Sequence, residues 1–203
     1  MSKVVQPAGN YYDKYRTKNP IARKLMQGFL DAFDALAARV PVSYACEIGC
    51  GEGELSIRLA RRGFRMRGFD IAEEAVEEAR RRAAAAGVEA AFRTQRIETL
   101  DTQAEAAPFV VCCEVLEHLD DPEGGVRTLA ELARPWLLAS VPREPLWRML
   151  NMARGKYLAD FGNTPGHVNH WSRDGFLALL SAHFEVVEVR SPIPWTMALC
   201  RRR

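Results

Sequence analysis

Two acidic residues, Glu47 and Asp70, lie at the ends of consecutive apolar runs, and the first of them opens a glycine-rich stretch. That stretch, residues 47–53, reads Glu-Ile-Gly-Cys-Gly-Glu-Gly, with glycines at Gly49, Gly51 and Gly53. Glycines allow the backbone to approach a ligand closely and to adopt dihedral angles that other residues resist. An acid at the end of the second strand can accept both hydroxyls of a ribose. The two acids and the turn between them predict a site for an adenine nucleoside.

The spacing of the glycines distinguishes two classes of nucleotide. Dinucleotide-binding turns follow the pattern GxGxxG, whereas this turn follows GxGxG and has Glu54 at its next position. The carboxylate of Glu47 would repel a diphosphate, and it suits a ligand that carries an amino group. The turn therefore predicts an amino-acid nucleoside, S-adenosyl-L-methionine, as the ligand.

The elements that position these residues alternate between strand and helix. Apolar residues at helical spacing predict an amphipathic helix over residues 19–39, with Asn19 as its cap. Short apolar runs predict seven strands, at 44–48, 64–69, 91–94, 109–115, 137–141, 184–189 and 195–200. Parallel neighbours need crossover helices, so the alternation predicts a parallel sheet with helices on both faces. The last two strands are only five residues apart, so we expect them to pair antiparallel and to reverse one edge of the sheet.

Composition excludes several classes of protein. The 203 residues suit one domain, and 28 basic against 26 acidic residues give a net charge of +2, which makes a nucleic-acid partner unlikely. No apolar run approaches the roughly 20 residues of a transmembrane segment, and the first residues lack the features of a secretory signal. The five cysteines contain no CxxC pair and indicate core packing. We expect a cytoplasmic globular protein; no sequence feature specifies its oligomeric state.

A second group of residues could bind a metal ion. The run from Cys113 to His118 contains Glu114, Glu117 and His118 at the end of the fourth strand, and His167 and His170 follow farther along. Two glutamates and two histidines would form a mixed oxygen and nitrogen shell suited to Mg, Mn, Fe or Zn. The alternative is a metal-free site in which His118 caps a turn or acts as a base.

Three stretches resemble the successive motifs of the class I S-adenosylmethionine-dependent methyltransferases, of the type 11/12 kind: CEIGCGEGELSIRLA, GFDIAEEAVEEAR and VVCCEVLEHLDDP. The resemblance runs from about residue 43 to the C-terminus. It implies a Rossmann-like, doubly wound, mostly parallel seven-stranded α/β sheet with an antiparallel last strand in a single domain. It also implies which residues bind the cofactor. Methionine-side contacts would come from Glu47, the turn glycines Gly49, Gly51 and Gly53, and Cys113; Asp70 would bind the ribose, and Ile71, Ile97 and Glu98 would border the adenine.

The Glu-x-x-Glu-His run resembles the metal-dependent branches of this family, the ubiquinone-pathway O-methyltransferases and the small-RNA 2′-O-methyltransferases. By that resemblance the metal ligands would be Glu114, Glu117, His118 and His167, with His170 as the alternate fourth ligand, and the catalytic residues would be His118 and His167.

The domain plan and the function follow from these assignments. We expect an N-terminal helical cap over residues 1–40 and a methyltransferase core over 41–203, with a lid-like insertion at about 143–169. Arginines flank the apolar residues of that insertion, so peripheral contact with a membrane is a further expectation. The predicted function is enzymatic methyl transfer to a small-molecule acceptor, at oxygen. The alternatives are a cofactor-binding sensor or partner subunit without catalysis, and an RNA 2′-O-methyltransferase.

Overall fold

Strand and helix alternate along the chain in the computed structural model, which describes residues 19–203. The strands are β1 (Tyr44–Ile48), β2 (Arg65–Asp70), β3 (Ala90–Thr94), β4 (Ala107–Cys113), β5 (Ala133–Pro142), β6 (Phe184–Arg190) and β7 (Trp195–Arg202). The helices are α1 (Pro20–Ala37), α2 (Glu54–Ala60), α3 (Glu73–Ala86), α4 (Pro122–Leu132), α5 (Leu146–Ala153) and α6 (Arg173–Ser181). All seven predicted strands are therefore present.

The strands form a single sheet in the order β3-β2-β1-β4-β5-β7-β6. The first five strands of this order pair in parallel, and β7 pairs antiparallel with both β5 and β6. This arrangement confirms the mostly parallel sheet with an antiparallel last strand. The reversed strand does not form the edge, however, because β7 lies between β5 and β6. Six consecutive residues of β7 are buried, as expected of an interior strand, whereas β6 mixes buried and exposed residues as edge strands do.

Hydrophobic cores lie on both faces of the sheet. Along β4, Val110 and Cys112 pack in the core that contains residues of α4 and α6, while Phe109 and Val111 pack in the core that contains residues of α1 and α2. Successive side chains of a strand point to opposite faces, so a strand covered on both sides is apolar throughout. This explains the continuous apolar run that predicted this strand.

Helix α1 packs on the sheet. The Asn19 side chain caps the helix as predicted, with Oδ1 accepting from the backbone N–H of Ile21 at 2.9 Å. Phe33 and Leu36 are completely buried. The rest of the predicted helical cap, residues 1–18, lies outside the described residues.

An ion pair joins α1 to α2. The guanidinium of Arg58 donates to both carboxylate oxygens of Asp34, at 2.8 and 2.7 Å, and Arg62 lies 2.8 Å from the same carboxylate. Burial favours the neutral acid, but the two guanidinium groups outweigh it and hold the pKa of Asp34 below its ordinary value. The N-terminal helix is thus fixed to the helix that follows the glycine-rich turn.

The predicted lid-like segment contains α5 and a short 3₁₀ turn, Leu158–Asp160. Arg148 and Asn151 of α5 hold the chain beyond it. Arg148 Nε donates to the carbonyl of Phe161 at 3.1 Å, and Asn151 Nδ2 donates to the carbonyl of Gly162 at 2.9 Å. Within residues 19–203, no helix is both long enough and apolar enough to cross a membrane.

Candidate active site

The glycine-rich turn connects β1 to α2. Gly49, Gly51 and Gly53 all have left-handed backbones, with φ angles of 73°, 49° and 80°. A Cβ atom at Gly49 would overlap Cγ2 of Val115, so this glycine is required both for its dihedral angle and for its close approach to the chain beyond β4. The turn therefore has the shape that the sequence predicted, and it lies against the end of β4.

Asp70 closes this turn. Its Oδ2 accepts from the backbone N–H of Gly51 at 2.7 Å, and its Oδ1 accepts from the N–H of Ala72 at 2.9 Å. The structure therefore brings the turn and the acid of β2 together, as predicted from the two strand ends. A further contact was not foreseen: Arg82 of α3 forms an ion pair with Glu52 in the middle of the turn.

Glu47 is the buried acid of the site, with only 3% of its surface exposed. Burial raises the pKa of its carboxyl to about 8, and a hydrogen bond from the Ser56 hydroxyl opposes that shift. A positively charged group beside the carboxyl would favour its ionised form, since an opposite charge stabilises the charged state. The site can therefore receive the amino group of an amino-acid ligand. Ser56, on the next helix, was missed because a single serine in a helix carries no motif.

The predicted adenine-side residues differ in how they are presented. Ile71 is 39% exposed, directly after Asp70. Ile97 begins a short 3₁₀ turn and its side chain is packed in the core, so it can offer only backbone atoms to a ligand. Glu98 is exposed and lies 3.4 Å from Arg96. On the methionine side, Cys113 ends β4 and is nearly buried.

A second group of polar residues follows β4. One ligand atom from each of Glu117, His118 and His167 lies within 4.8 Å of the others. We call these three residues the Glu-His-His cluster. The glycine-rich turn follows β1, and Glu117 and His118 follow β4. Because β1 and β4 are adjacent parallel strands, the turn and these two residues lie side by side at the carboxyl edge of the sheet. Ligands bind at this edge in open α/β sheets.

Backbone hydrogen bonds hold the two halves of the cluster together. The carbonyl of Glu117 accepts from the N–H groups of Val168 and Asn169, at 2.9 and 3.1 Å. The Asn169 side chain also donates to the carbonyl of Leu119 at 2.6 Å. This asparagine connects segments fifty residues apart, a contact that no local sequence pattern indicates.

The orientation of His118 is fixed by the loop that carries His167. Its Nδ1 lies 2.9 Å from the carbonyl oxygen of Gly166. A carbonyl oxygen only accepts hydrogen bonds, so Nδ1 carries the proton and the lone pair of the neutral ring lies on Nε2. Histidines that bind metals or accept protons are commonly oriented in this way.

Two of the predicted ligands have other partners. The Glu114 carboxylate accepts from Ser140 Oγ at 3.1 Å and from Trp195 Nε1 at 2.7 Å. His170 is exposed and its Nε2 lies 2.7 Å from Asn163 Oδ1. The cluster thus contains three of the four residues that the resemblance implied, and Glu114 is directed toward β5 and β7 instead.

Comparison with known proteins agrees with this architecture. The profile of a methyltransferase-domain family matches residues 45–136. The ubiquinone biosynthesis O-methyltransferase of Methylococcus capsulatus is 33% identical over 173 residues, which cover 76% of this chain and 70% of that protein. The enzyme of the same name from Xylella fastidiosa is 33% identical over 181 residues, covering 80% and 70% of the two chains.

Solved structures share the fold. The magnesium protoporphyrin IX methyltransferase of Synechocystis, solved with bound S-adenosylhomocysteine, superposes with a TM-score of 0.73 at 24% identity and covers 94% of this chain and 91% of that one. A protein of Pyrococcus horikoshii gives a TM-score of 0.71 at 14% identity, with 96% of each chain covered.

The order of the strands and the glycine turn closed by an acid define the class I methyltransferase fold. The identities above carry the assignment further: this chain belongs to the S-adenosylmethionine-dependent methyltransferase family. It is a methyltransferase enzyme, and S-adenosylmethionine is its methyl donor.

Proposed function

We propose that this enzyme transfers the methyl group to a phenolic oxygen of a small planar acceptor. The observation that carries the proposal is the Glu-His-His cluster, which lies beside the cofactor turn at the carboxyl edge of the sheet. The relatives from Methylococcus and Xylella are named O-methyltransferases of ubiquinone biosynthesis, which supports an oxygen acceptor. The roles proposed for Glu47, Gly49, Gly51, Gly53, Asp70, Ile71, Ile97, Glu98 and Cys113 are those of cofactor binding.

Methyl transfer from a sulfonium is an in-line displacement. The acceptor oxygen forms a bond to the methyl carbon while the carbon–sulfur bond breaks, and the sulfur keeps the electron pair. The protein contributes mainly by orienting the two molecules and by excluding water. A phenol has a pKa of about 10 and must lose its proton to become a good nucleophile. His118 is placed to accept that proton at Nε2, because its Nδ1 is held by Gly166.

The cluster also fits a divalent metal ion by the chemistry of its donors. One carboxylate and two imidazoles suit Mn, Fe or Zn, and Mg is compatible with the carboxylate. Glu117, His118 and His167 would hold the ion. A bound ion would lower the pKa of a phenol that contacts it. His118 would then act as a ligand, and the positions of the three side chains would serve to place the acceptor oxygen.

Product analysis tests the acceptor chemistry. The purified enzyme is incubated with S-adenosylmethionine and either catechol or aniline, and the products are identified by mass spectrometry. We expect a methyl ether from catechol and no N-methylaniline. Substituting His118→Asn should lower the rate by about 10²- to 10⁴-fold, as loss of a general base does.

His183→Asn is the matched control for that experiment. His183 follows α6, and its carbonyl accepts from the backbone N–H of Arg203, which directly follows β7. Because β7 runs antiparallel to β5, its last residues lie at the amino ends of the parallel strands, away from the cluster. The substitution of His183 should leave the rate unchanged. Methylation of aniline in preference to catechol, or a His118 variant as active as the His183 control, would overturn the proposal.

We further propose that the chain around α5 contacts an anionic lipid surface. The exposed fractions of Leu158 and Phe161 are 60% and 73%, and that of Met149 is 56%. Met149 lies on α5, and the exposed cations Arg154 and Lys156 lie in the sequence between α5 and Leu158. Apolar side chains next to cations favour the interface of membranes with anionic headgroups. A membrane would also be a source of apolar phenolic acceptors. A cytoplasmic location stays a prediction.

Vesicle sedimentation tests this contact. The protein should sediment with phosphatidylglycerol-containing vesicles and not with pure phosphatidylcholine, and the double variant Leu158→Ser/Phe161→Ser should remain in the supernatant. The control is Val187→Ser, which changes an exposed apolar residue of β6, far from α5 in the sequence. Equal sedimentation of the two variants, or self-association through the same residues, would contradict a lipid partner.

A further inference from the structure

Glu114 has an unusual backbone conformation at the end of β4. Its φ angle is 61°, and Tyr157 and Phe161 are the other non-glycine residues with positive φ among those described in 19–203. Residues with side chains seldom adopt this conformation unless their surroundings hold them in it. The left-handed turn sends the Glu114 side chain sideways across the ends of the neighbouring strands. Its backbone N–H donates to the Ser140 carbonyl at 3.0 Å, and its carboxylate accepts from the Ser140 hydroxyl and from the Trp195 indole.

The Trp195 indole begins a series of ring contacts that ends at the cluster. Its centroid lies 5.7 Å from that of Trp147 on α5. The Trp147 ring in turn stacks on His167, at 5.8 Å and an interplanar angle of 26°. His167 packs edge-on against His118 at 4.9 Å. The rings thus connect the Glu114 carboxylate to both histidines of the cluster.

Trp147 also holds the backbone of the loop that carries His167. Its Nε1 donates to Thr164 Oγ1 at 2.9 Å, and the backbone N–H of His167 donates to the Thr164 carbonyl at 3.0 Å. A shift of Trp147 would therefore move both the face of the His167 ring and its main chain. Trp195 is almost entirely buried, with 4% of its surface exposed, so it has little room to move without losing its bond to Glu114.

We propose that Glu114 is a positioning residue that fixes His167 through Trp195 and Trp147, and that it is not a metal ligand. This inference rests on the proposed role of the cluster for its functional meaning, but the contacts that carry it are separate from any bound ion. It assigns different tasks to the two glutamates of the Glu-x-x-Glu-His run. Glu117 belongs to the cluster, while Glu114 holds the position of the Trp195 and Trp147 rings that pack toward His167.

Two substitutions of Glu114 separate positioning from metal binding. In Glu114→Gln the amide oxygen can still accept from the Trp195 indole, and the amide N–H can donate to the Ser140 hydroxyl. Glu114→Leu removes both hydrogen bonds. Two readouts are measured: the position of the His167 ring resonances by NMR in metal-free protein, and the affinity for Zn²⁺ by calorimetry. We expect Glu114→Gln to resemble the wild type in both. Glu114→Leu should shift the His167 resonances and lower zinc affinity about tenfold, the effect typical of losing an outer-shell partner.

The aromatic series is tested with Trp195→Phe, which keeps the ring and removes the indole N–H. It should reproduce the effects of Glu114→Leu, and the double variant should be no worse than either single one, because both remove the same hydrogen bond. Trp171→Phe is the control; the Trp171 ring packs on Phe176, outside the series, and its variant should leave both readouts unchanged.

Three results would overturn the proposal. A loss of zinc affinity in Glu114→Gln as large as in Glu117→Gln would make Glu114 a ligand. Unmoved His167 resonances in Glu114→Leu would show that the carboxylate does not position that ring, and additive effects of Glu114→Leu and Trp195→Phe would show that they act separately. If the wild type binds no zinc, the proposed metal site fails, but the NMR measurement still decides whether Glu114 positions His167.

Discussion

The buried carboxyl of Glu47 is mostly neutral at pH 7, because burial raises its pKa to about 8. The Ser56 hydroxyl donates a hydrogen bond to this carboxyl. Unless a cation lies beside it, this residue therefore carries a proton that an exposed glutamate would have lost. A ligand with an ammonium group would displace that proton and restore the ionised form.

The free energy of unfolding should depend on pH through Glu47. Its folded pKa of about 8 lies above the ordinary glutamate value of 4.5, so the unfolded chain gives up the proton first as pH rises. The stability that this residue contributes is complete below about pH 4.5 and is lost progressively as pH rises to about 8. Glu47→Gln removes this loss. The variant's melting temperature relative to wild type should therefore increase by several degrees between pH 5 and pH 8, at about 2–4 °C for each kcal/mol.

Thermal unfolding of the ligand-free proteins at several pH values checks this prediction. Glu185→Gln, which changes an exposed glutamate on β6, is the control and should show no such trend. A constant difference between wild type and Glu47→Gln over that pH range would mean that Glu47 is ionised in the folded protein.

The convergence of Glu47, Asp70 and the turn was predictable from the sequence, because adjacent parallel strands bring their carboxyl ends to one edge. The direction of Glu114 was not. Glu114 and Glu117 are three residues apart, which suggests a shared face if the chain is helical at both. The 3₁₀ turn begins only at Leu116, however, and the left-handed Glu114 lies before it. Asn169 was missed for a different reason, since its partners are distant in the sequence.

Among the elements, the start of α4 shows how local signals compete. The two adjacent glycines, Gly124 and Gly125, disfavour a helix, yet α4 begins before them at Pro122, capped by Asp121 Oδ1 on the N–H of Gly124 at 2.8 Å. An Asp-Pro pair is a strong helix start, because the acid caps and proline suits the first position. Gly125 is explained by packing, since a Cβ there would overlap Leu119.

Two glycine substitutions should have opposite effects on stability. Gly49→Ala places a Cβ against Val115 at a φ of 73°, so it should destabilise the protein, by about 1–3 kcal/mol from backbone strain alone. Gly28→Ala lies within α1 with nothing near its Cβ, and it should stabilise by about 0.5–1 kcal/mol. Urea unfolding measures both.

The double variant Gly49→Ala/Val115→Ala separates the two causes at the turn. It should recover the part of the loss that comes from overlap and keep the part that comes from the dihedral angle. If Gly49→Ala were as stable as wild type, the turn would have to adopt a shape different from the one described.

At the scale of the whole molecule, the class of fold followed from the sequence because alternating strands and helices admit few topologies. The short gap of five residues between the last two predicted strands correctly required an antiparallel pair; in the structure β6 and β7 are longer and only residues 191–194 connect them. It could not determine which of the two strands joins β5, since either arrangement satisfies a short hairpin. The burial of β7 on both faces makes that choice, and its unbroken apolar run from Met197 to Cys200 was the available signal.

Binding of the cofactor should stabilise the entire domain, because the turn, β2 and β4 all contribute to one site. At 100 times its dissociation constant, S-adenosylhomocysteine should add about 2.7 kcal/mol to the free energy of unfolding, seen as a higher melting temperature. Asp70→Ala should abolish the shift, because it removes both the ribose acceptor and the bond that holds Gly51.

Adenosine and 2′-deoxyadenosine distinguish these two causes. The wild type should prefer adenosine if Asp70 binds the ribose hydroxyls, and the exposed-acid control Asp31→Ala should keep that preference. Equal affinity of the wild type for the two nucleosides would show that Asp70 holds the glycine-rich turn but does not bind the ribose.

The reversal of β7 gives the carboxyl edge of the sheet something that an all-parallel sheet lacks. Every other strand bordering the site delivers its last residues there, whereas β7 delivers its first, Trp195, preceded by the hairpin from β6. Changes of length or sequence in that hairpin would therefore alter the surroundings of Trp195, while the glycine-rich turn, on the other side of β4, keeps its architecture. In this fold the residues next to Trp195 can therefore vary without any change in the turn that is proposed to bind the methyl donor.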